Sequence, residues 1–539
     1  MTSRSVSAPP VRLDLGPRYN ATETFIDAHR GVRDDRIAIR CQGATVTYGQ
    51  LAANVDRAGN AFREIGIGLE QRVVILCADS PAFVYAFFGA IKLGAIPVPA
   101  NTLLTAHDLG YILADSRARA IVVSAPLLPK VLEARAAAPL LRHVIVAGAE
   151  AGAGADAGAD AGLDRSAGEL SLEALMAAAD DELSPADTTP DDACFWLYSS
   201  GTTGFPKGAV HLQHDMLYCA ETYGKRILQS TADDRHFTVS PLFHAYGLGN
   251  GVFFPFRVGA STVLKPERAT PDLVYGLITT ERPTILFTAP TFYAALLAYP
   301  TADFGYDLGS LRFAVSAGEA LPKALFDAWK ARFGKEILDG IGSTEMLHIF
   351  ISNRPGRARG GTSGTVVPGY RAKIVDDAER ELAHGESGSL WVSGDSACAY
   401  YWNKHEKTKA TIRGEWVVTG DTYHLDPDGY YTYEGRSDDM LKVSGQWVSP
   451  AEVEAALMEH PAVLECGVVG MQDKDELLKP KAFVLLKAGQ AGSDELADEL
   501  RAFVKGRITP YKYPRWIEFV DELPKTATGK IQRFRLREG

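Results

Sequence analysis

Residues 198–208 read Tyr-Ser-Ser-Gly-Thr-Thr-Gly-Phe-Pro-Lys-Gly. Ser199, Ser200, Thr202 and Thr203 supply neutral donors, Gly201 and Gly204 leave backbone N–H groups unhindered, and Lys207 adds a cation. That combination can hold a polyphosphate. Its spacing is not that of the common P-loop, which needs four residues between its glycines and Ser or Thr after the lysine. Here two residues separate Gly201 from Gly204, and Gly208 follows Lys207. A flexible surface loop would account for clustered hydroxyls, but not for the whole string.

Other segments carry groups of matching chemistry. Downstream lie His244-Ala-Tyr-Gly-Leu-Gly249 and Asp339-Gly-Ile-Gly-Ser-Thr-Glu345. Thr419-Gly-Asp421, Gly435-Arg436-Ser-Asp438-Asp439 and Pro524-Lys-Thr-Ala-Thr-Gly-Lys530 follow. Each is weak alone, since a Thr-Gly-Asp turn is ordinary. In this order, together with the phosphate segment, they make the chain resemble the adenylate-forming superfamily, the acyl-CoA synthetases and their relatives.

The resemblance implies that a carboxylate attacks the α-phosphorus of ATP and pyrophosphate leaves. Two anions must meet, so the site needs positive charge and oriented donors. Glu345 would hold Mg2+ on the phosphates with Thr202 nearby, because this ion prefers hard oxygen ligands. Asp421 and Arg436 would grip the ribose hydroxyls. Gly318 and Glu319, with Asp339, Gly340 and Ile341, match the stretches that frame adenine, and Ser343 and Thr344 lead into Glu345. Lys530 corresponds to the catalytic lysine, which neutralises charge between carboxylate and α-phosphate. A second half-reaction is also implied. The C-terminal domain would rotate about Asp438, withdraw Lys530 and present Lys442, Ser444 and Gly445 to a pantetheine tunnel for coenzyme A.

Val98-Pro-Ala-Asn-Thr-Leu-Leu-Thr105, the segment His244 to Asn250 and Gly342-Ser-Thr-Glu-Met-Leu-His-Ile349 narrow the resemblance to the benzoate-activating aryl-CoA ligases. The match is looser at Gly445-Gln-Trp447. A pocket for benzoate should be short, flat-walled and apolar except at the carboxylate end. Beside His244, Ala245 would leave room for the ring, Tyr246 could stack on it and Gly342 would admit close backbone approach. His348 could close the far end, or simply be packed in the core. No extra polar partner for a ring hydroxyl is evident, so benzoate is expected ahead of 4-hydroxybenzoate. Activation of 4-hydroxybenzoate or another aryl or short acyl acid, and loading of a carrier protein, remain alternatives. Luciferase-type oxidation of the adenylate and a nucleotide-binding regulator without catalysis are remoter rivals. With no carrier segment after Lys530, a free ligase is expected.

These groups must be positioned by a large scaffold. The chain has 539 residues, beyond the reach of one hydrophobic core. It is 46% hydrophobic and 23% charged, as in globular proteins. Strand-like runs alternate with helical ones: residues 285–289 and 311–317 precede helices that open at Pro290 and Pro322. Near Gly435 the rhythm changes. Ser449-Pro-Ala-Glu452 reads as a capping box, its helix running to about His460. Strands at residues 462–469 and 482–486 follow, then a helix opened by Ser493. The expected fold is therefore α/β: a large multi-layer N-terminal domain over residues 1–436 and a small mobile α+β domain over 437–539. Residues 147–162, rich in Ala, Gly and Asp, read as an exposed loop.

A net charge of -11 argues against a nucleic-acid surface. The six cysteines form no Cys-x-x-Cys pair, which suits a reducing compartment. There is no signal-like start and no spanning apolar run. The expected setting is the cytoplasm, without membrane attachment, as a monomer or homodimer acting on a small aromatic acid.

Overall fold

Arg72-Val-Val-Ile-Leu76 is apolar throughout after its first residue and buried along that length, as befits a parallel strand covered on both faces. It lies in a sheet that runs Ile96–Pro99, Arg72–Leu76, Ala120–Ser124, His143–Ala147 and Glu169–Ser171, every pair parallel. The computed structural model describes residues 11–148, 168–199, 206–300, 305–436, 439–443, 446–473, 478–509, 512–525 and 531–538. Most of the loop expected over residues 147–162 lies outside the described residues.

Among the described residues, a second, nine-stranded sheet runs from Thr365–Val366 through Ile349–Ser352, Ile337–Gly342, Phe313–Ser316, Ile285–Thr288, Arg235–Thr238, Ser261–Leu264 and Ile37–Cys41 to Ala44–Thr47. Its centre is parallel. The helices Tyr48–Glu64 and Pro81–Leu93 carry much of the shared core, with Phe62, Phe83, Phe87 and Phe88 fully buried. Thr47 and Gln50 close a reciprocal capping box on the first of them.

Two smaller sheets complete this part. One is antiparallel, Tyr400–Tyr401, Lys207–Leu212 and Ala193–Ser199. The other joins Arg371–Val375, Gly388–Ser393, Trp416–Leu425 and Ile412–Arg413, with Tyr431–Arg436 on the long strand. The expected strands and helices around residues 285–342 form where the periodicity places them. Pro322 sits one position earlier than expected, as the N-cap of Lys323–Phe333.

The C-terminal part packs a separate cluster of residues, including Leu441, Val453, Leu457, Val468, Val484, Leu500 and Phe519. Its sheet is Val463–Gln472, Leu478–Leu486 and Trp516–Phe519. The third strand was not anticipated, because Trp516-Ile-Glu-Phe519 is short and lacks a marked alternation. The capping box at Ser449 forms by half. Ser449 accepts from the Glu452 amide, but the Glu452 carboxylate bonds Lys512 at 2.6 and 2.8 Å. A charged partner outcompetes a backbone amide there.

Candidate active site

The strands Ala193–Ser199 and Lys207–Leu212 are antiparallel neighbours, with Ser199 opposite Lys207. The two ends of the phosphate segment are thereby brought together. Ser200, Gly201, Thr202, Thr203 and Gly204 lie outside the described residues, between these ends. Tyr198 anchors one side through a 2.7 Å bond from its hydroxyl to Asp115. Tyr111 donates to the Pro206 carbonyl at 3.2 Å on the other.

Glu345 reaches this hairpin from the loop after Ile337–Gly342. Its Oε1 accepts from the Ser199 hydroxyl at 3.2 Å and from the Tyr401 hydroxyl at 2.5 Å. Lys207 Nζ lies 4.4 Å from the centre of the Tyr401 ring. Burial lowers the Lys207 pKa, against the raising effect of Glu345; Lys407 and Arg436 lower it further. A phosphate chain entering this corner would meet a cation whose charged form is disfavoured chiefly by burial.

Ribose and adenine candidates are also brought together. Asp421 faces Arg436 across adjacent strands, Oδ1 to Nη1 at 3.2 Å, and Arg436 Nη1 also donates to the Thr419 carbonyl at 3.1 Å. Gly420 permits this: its φ is +76°, and a Cβ there would lie 2.7 Å from Arg436 Nη2. Asp339, within the strand Ile337–Gly342, lies opposite Ser316. Burial pushes its pKa up to about 8, against the lowering effect of the nearby Ser316 hydroxyl and the Leu321 and Gly340 backbones. The loop carrying Gly318 and Glu319 is thus drawn to the segment Asp339, Gly340 and Ile341.

The aryl candidates form a wall of rings. Tyr246, in the short helix Ala245–Leu248 behind His244, donates to the Val315 carbonyl at 2.9 Å. The buried His348 ring lies 5.8 Å from Tyr246, 5.2 Å from Tyr223 and 4.5 Å from Phe254. Among the described residues neither His348 nitrogen has a hydrogen-bond partner, and burial pushes its pKa down to about 3, against a smaller raising effect of the Tyr246 backbone. It is therefore a neutral imidazole. The glycines beside it are spacers: a Cβ on Gly249 would come 2.4 Å from the His348 ring, and one on Gly342 would come 2.5 Å from the His348 carbonyl. Gly342 thus accommodates the protein's own backbone at this point.

Lys442 lies in the strand Leu441–Val443, paired with Gln446–Val448. Ser444, Gly445, Asp438 and Lys530 lie outside the described residues. Their flanks are tied down: Asp439 accepts from Arg533 at 3.4 Å and from Arg537, and Lys525 bridges Ile531.

Sequence reasoning missed Tyr401, Ser396, His211 and Asp215. Tyr401 carried no local signal, since it is brought to Glu345 by long-range ties: the pairing of Tyr401 with Ala209 and the Cys398 amide's bond to the Glu345 carbonyl. His211 did carry one. It lies four residues after Lys207 on a strand, hence on the same face.

Among the described residues no group of three or more His, Cys, Asp or Glu could form a metal cage. One carboxylate beside hydroxyls suits an ion that takes most of its ligands from substrate phosphates and water. Fold and site together point to a nucleotide-binding enzyme with a wall of aromatic rings beside its phosphate hairpin. Residues 26–402 match the AMP-binding enzyme family and residues 452–530 the AMP-binding enzyme C-terminal domain, and the chain belongs to this family. It is 48% identical to a benzoate–CoA ligase of Thauera aromatica, over 98% of either chain. It is 44% identical to a 4-hydroxybenzoate–CoA/benzoate–CoA ligase of Rhodopseudomonas palustris, over 96% of this chain and 94% of that one. Among solved structures, an anthranilate CoA ligase in complex with anthranoyl-AMP is similar at TM-score 0.91 and 43% identity, covering 97% of this chain and 98% of that one. A benzoate CoA ligase from Burkholderia xenovorans gives TM-score 0.86 and 43% identity, covering 96% of this chain and all (100%) of the other.

Proposed function

We propose that this protein ligates benzoate to coenzyme A through benzoyl-AMP, releasing AMP and pyrophosphate. The observation that carries the reading is the single loop in which Glu345, at the phosphate hairpin, stands three residues from His348, in the aromatic wall. A nucleotide phosphate and an aryl acid would be held from one segment. The full-length likeness to benzoate–CoA ligases supports the choice of acid.

In the first step a benzoate oxygen bonds to the α-phosphorus while the α–β bridging bond breaks, its electrons leaving with pyrophosphate. Lys207 stands where the outgoing phosphates would lie. Lys530 is assigned to the charge developing between carboxylate and α-phosphate. Asp421 and Arg436 orient the ribose. Glu345, with Thr202, would hold Mg2+, which when bound neutralises phosphate charge. In the second step the CoA sulfur attacks the acyl carbon, and AMP leaves with the electrons of the broken C–O bond. A thiol of pKa about 8.5 needs little help against an acyl adenylate, so no general base is assigned. Domain limits of 1–436 and 437–539, rotation about Asp438, and a tunnel past Lys442, Ser444 and Gly445 belong to this proposal. So does a cytoplasmic location, which six buried, unbridged thiols suit. No helix among the described residues is long and apolar enough to cross a membrane.

The test is pyrophosphate release with a panel of aryl and short alkyl acids, with and without CoA. Benzoate should lead, with CoA required for turnover. Preference for a short alkyl acid, or turnover only with a carrier protein, would refute the assignment.

A further inference from the structure

Three consecutive carbonyls of the loop bearing Glu345 are each held by a donor from elsewhere in the chain. His211 Nε2 meets the Thr344 carbonyl at 2.8 Å. The Cys398 amide donates to the Glu345 carbonyl at 2.7 Å, and the Ser396 hydroxyl donates to that of Met346 at 2.8 Å. The next residue, Leu347, is buried with φ +64°, a conformation that persists only where its surroundings fix it.

Of the three donors, His211 joins two parts of the site. It shares a strand and a face with Lys207, so its bond ties the phosphate hairpin to the Glu345 loop. The ring is fully buried and oriented from behind, its Nδ1 lying 2.8 Å from buried Asp215 Oδ2, which also accepts from the Leu212 amide at 3.1 Å. A carbonyl partner at Nε2 requires that nitrogen to carry hydrogen. The arrangement has the form of an outer-shell support: acid, imidazole, then the peptide carrying the ligand.

We propose that His211, oriented by Asp215, is a positioning residue for the adenylation step: it fixes the Glu345 carboxylate relative to Lys207 so that Mg2+ and the ATP phosphates are received together. The inference rests on the reading of Glu345 as the metal-side carboxylate. It assigns His211 no contact with substrate. It also separates the half-reactions, because CoA attack on preformed benzoyl-AMP uses neither the phosphate tail nor the metal.

The experiment compares His211→Leu, His211→Gln, Asp215→Asn and Glu345→Gln. Mg2+ is titrated in two assays: benzoate-dependent pyrophosphate release, and the thermal shift produced by α,β-methylene-ATP. Conversion of supplied benzoyl-AMP to benzoyl-CoA is measured separately. His211→Leu should raise the Mg2+ requirement in both titrations by about 10–100-fold, the usual effect of losing an outer-shell partner. Its thioester formation should stay within about two-fold of the parent, a smaller change than one lost hydrogen bond produces. His211→Gln, whose amide nitrogen can still donate to the Thr344 carbonyl, should recover most of the loss, and Asp215→Asn should show the same split. Equal loss in both half-reactions, an unchanged Mg2+ requirement, or no rescue by glutamine would overturn the inference. Glu345→Gln should itself raise the Mg2+ requirement. If it does and His211→Leu does not, this inference alone fails. If Glu345→Gln leaves the requirement unchanged, the underlying reading fails with it.

Discussion

Tyr401 donates to Glu345 at 2.5 Å across a separation of 56 residues, and the same ring lies 4.4 Å from Lys207 Nζ. One side chain thus spaces the carboxylate from the cation. Burial, together with the Glu345 charge, raises the Tyr401 pKa well above its ordinary value, so the hydroxyl remains a donor at neutral pH.

Tyr401→Phe keeps the ring beneath Lys207 and removes the donor. A hydrogen bond to a charged group contributes about 1.5–3 kcal/mol. Benzoyl-AMP formation should therefore fall by at least roughly ten-fold, while conversion of supplied benzoyl-AMP is preserved. Single-turnover rates of the two half-reactions check this, and equal slowing of both would contradict it.

Asp339 should make the unliganded protein less stable as pH rises. Its carboxyl titrates near 8 in the folded chain because of burial, against about 3.9 when unfolded. Between those values the unfolded state releases a proton that the folded state retains, so stability declines with increasing pH. Asp339→Asn removes this dependence. Its melting temperature relative to the parent should climb between pH 5 and pH 8, values inside the window of about 4 to 8. A constant difference across that range would contradict the assignment.

His348 adds a polar group that sequence reasoning did not count against ring hydroxyls, since among the described residues neither of its nitrogens has a hydrogen-bond partner. Benzoate is still expected ahead of 4-hydroxybenzoate. His348→Leu should widen that preference by about ten-fold, the effect of losing one hydrogen bond of about 1–1.5 kcal/mol. Ratios of kcat/KM for the two acids provide the check. A relative gain for 4-hydroxybenzoate would count against His348 as the acceptor.

The two conformations assigned to the C-terminal part give a paired test. Lys530→Ala should abolish benzoyl-AMP formation and leave thioester formation from supplied benzoyl-AMP intact. Asp438→Pro, which fixes φ at the hinge, should impair thioester formation far more than adenylation. Parallel loss in either variant would remove the two-conformation account.

The α/β architecture was legible because parallel strands such as Ile285–Thr288 and Phe313–Ser316 are short apolar runs followed by proline-marked helix starts. The grouping of candidate residues was legible where one segment carries its own chemistry, as Lys207, Glu345, Asp421 and Arg436 do. It was not legible where the geometry depends on strand pairing, as at Tyr401, or on a buried support, as at His211 and Asp215. Such partners are chosen by register and packing between distant segments, and local periodicity is silent on them. His348 was half legible: its place beside Glu345 could be read, but its bare nitrogens emerge only from the rings packed around it.

The account is tested most directly by a chase experiment. Enzyme is mixed with ATP, Mg2+ and benzoate without CoA, quenched and analysed by mass spectrometry, then repeated with CoA added before the quench. Bound benzoyl-AMP and pyrophosphate should accumulate stoichiometrically with enzyme, and CoA should convert the adenylate to benzoyl-CoA and AMP. Formation of ADP and phosphate, or an adenylate that CoA does not consume, would contradict it.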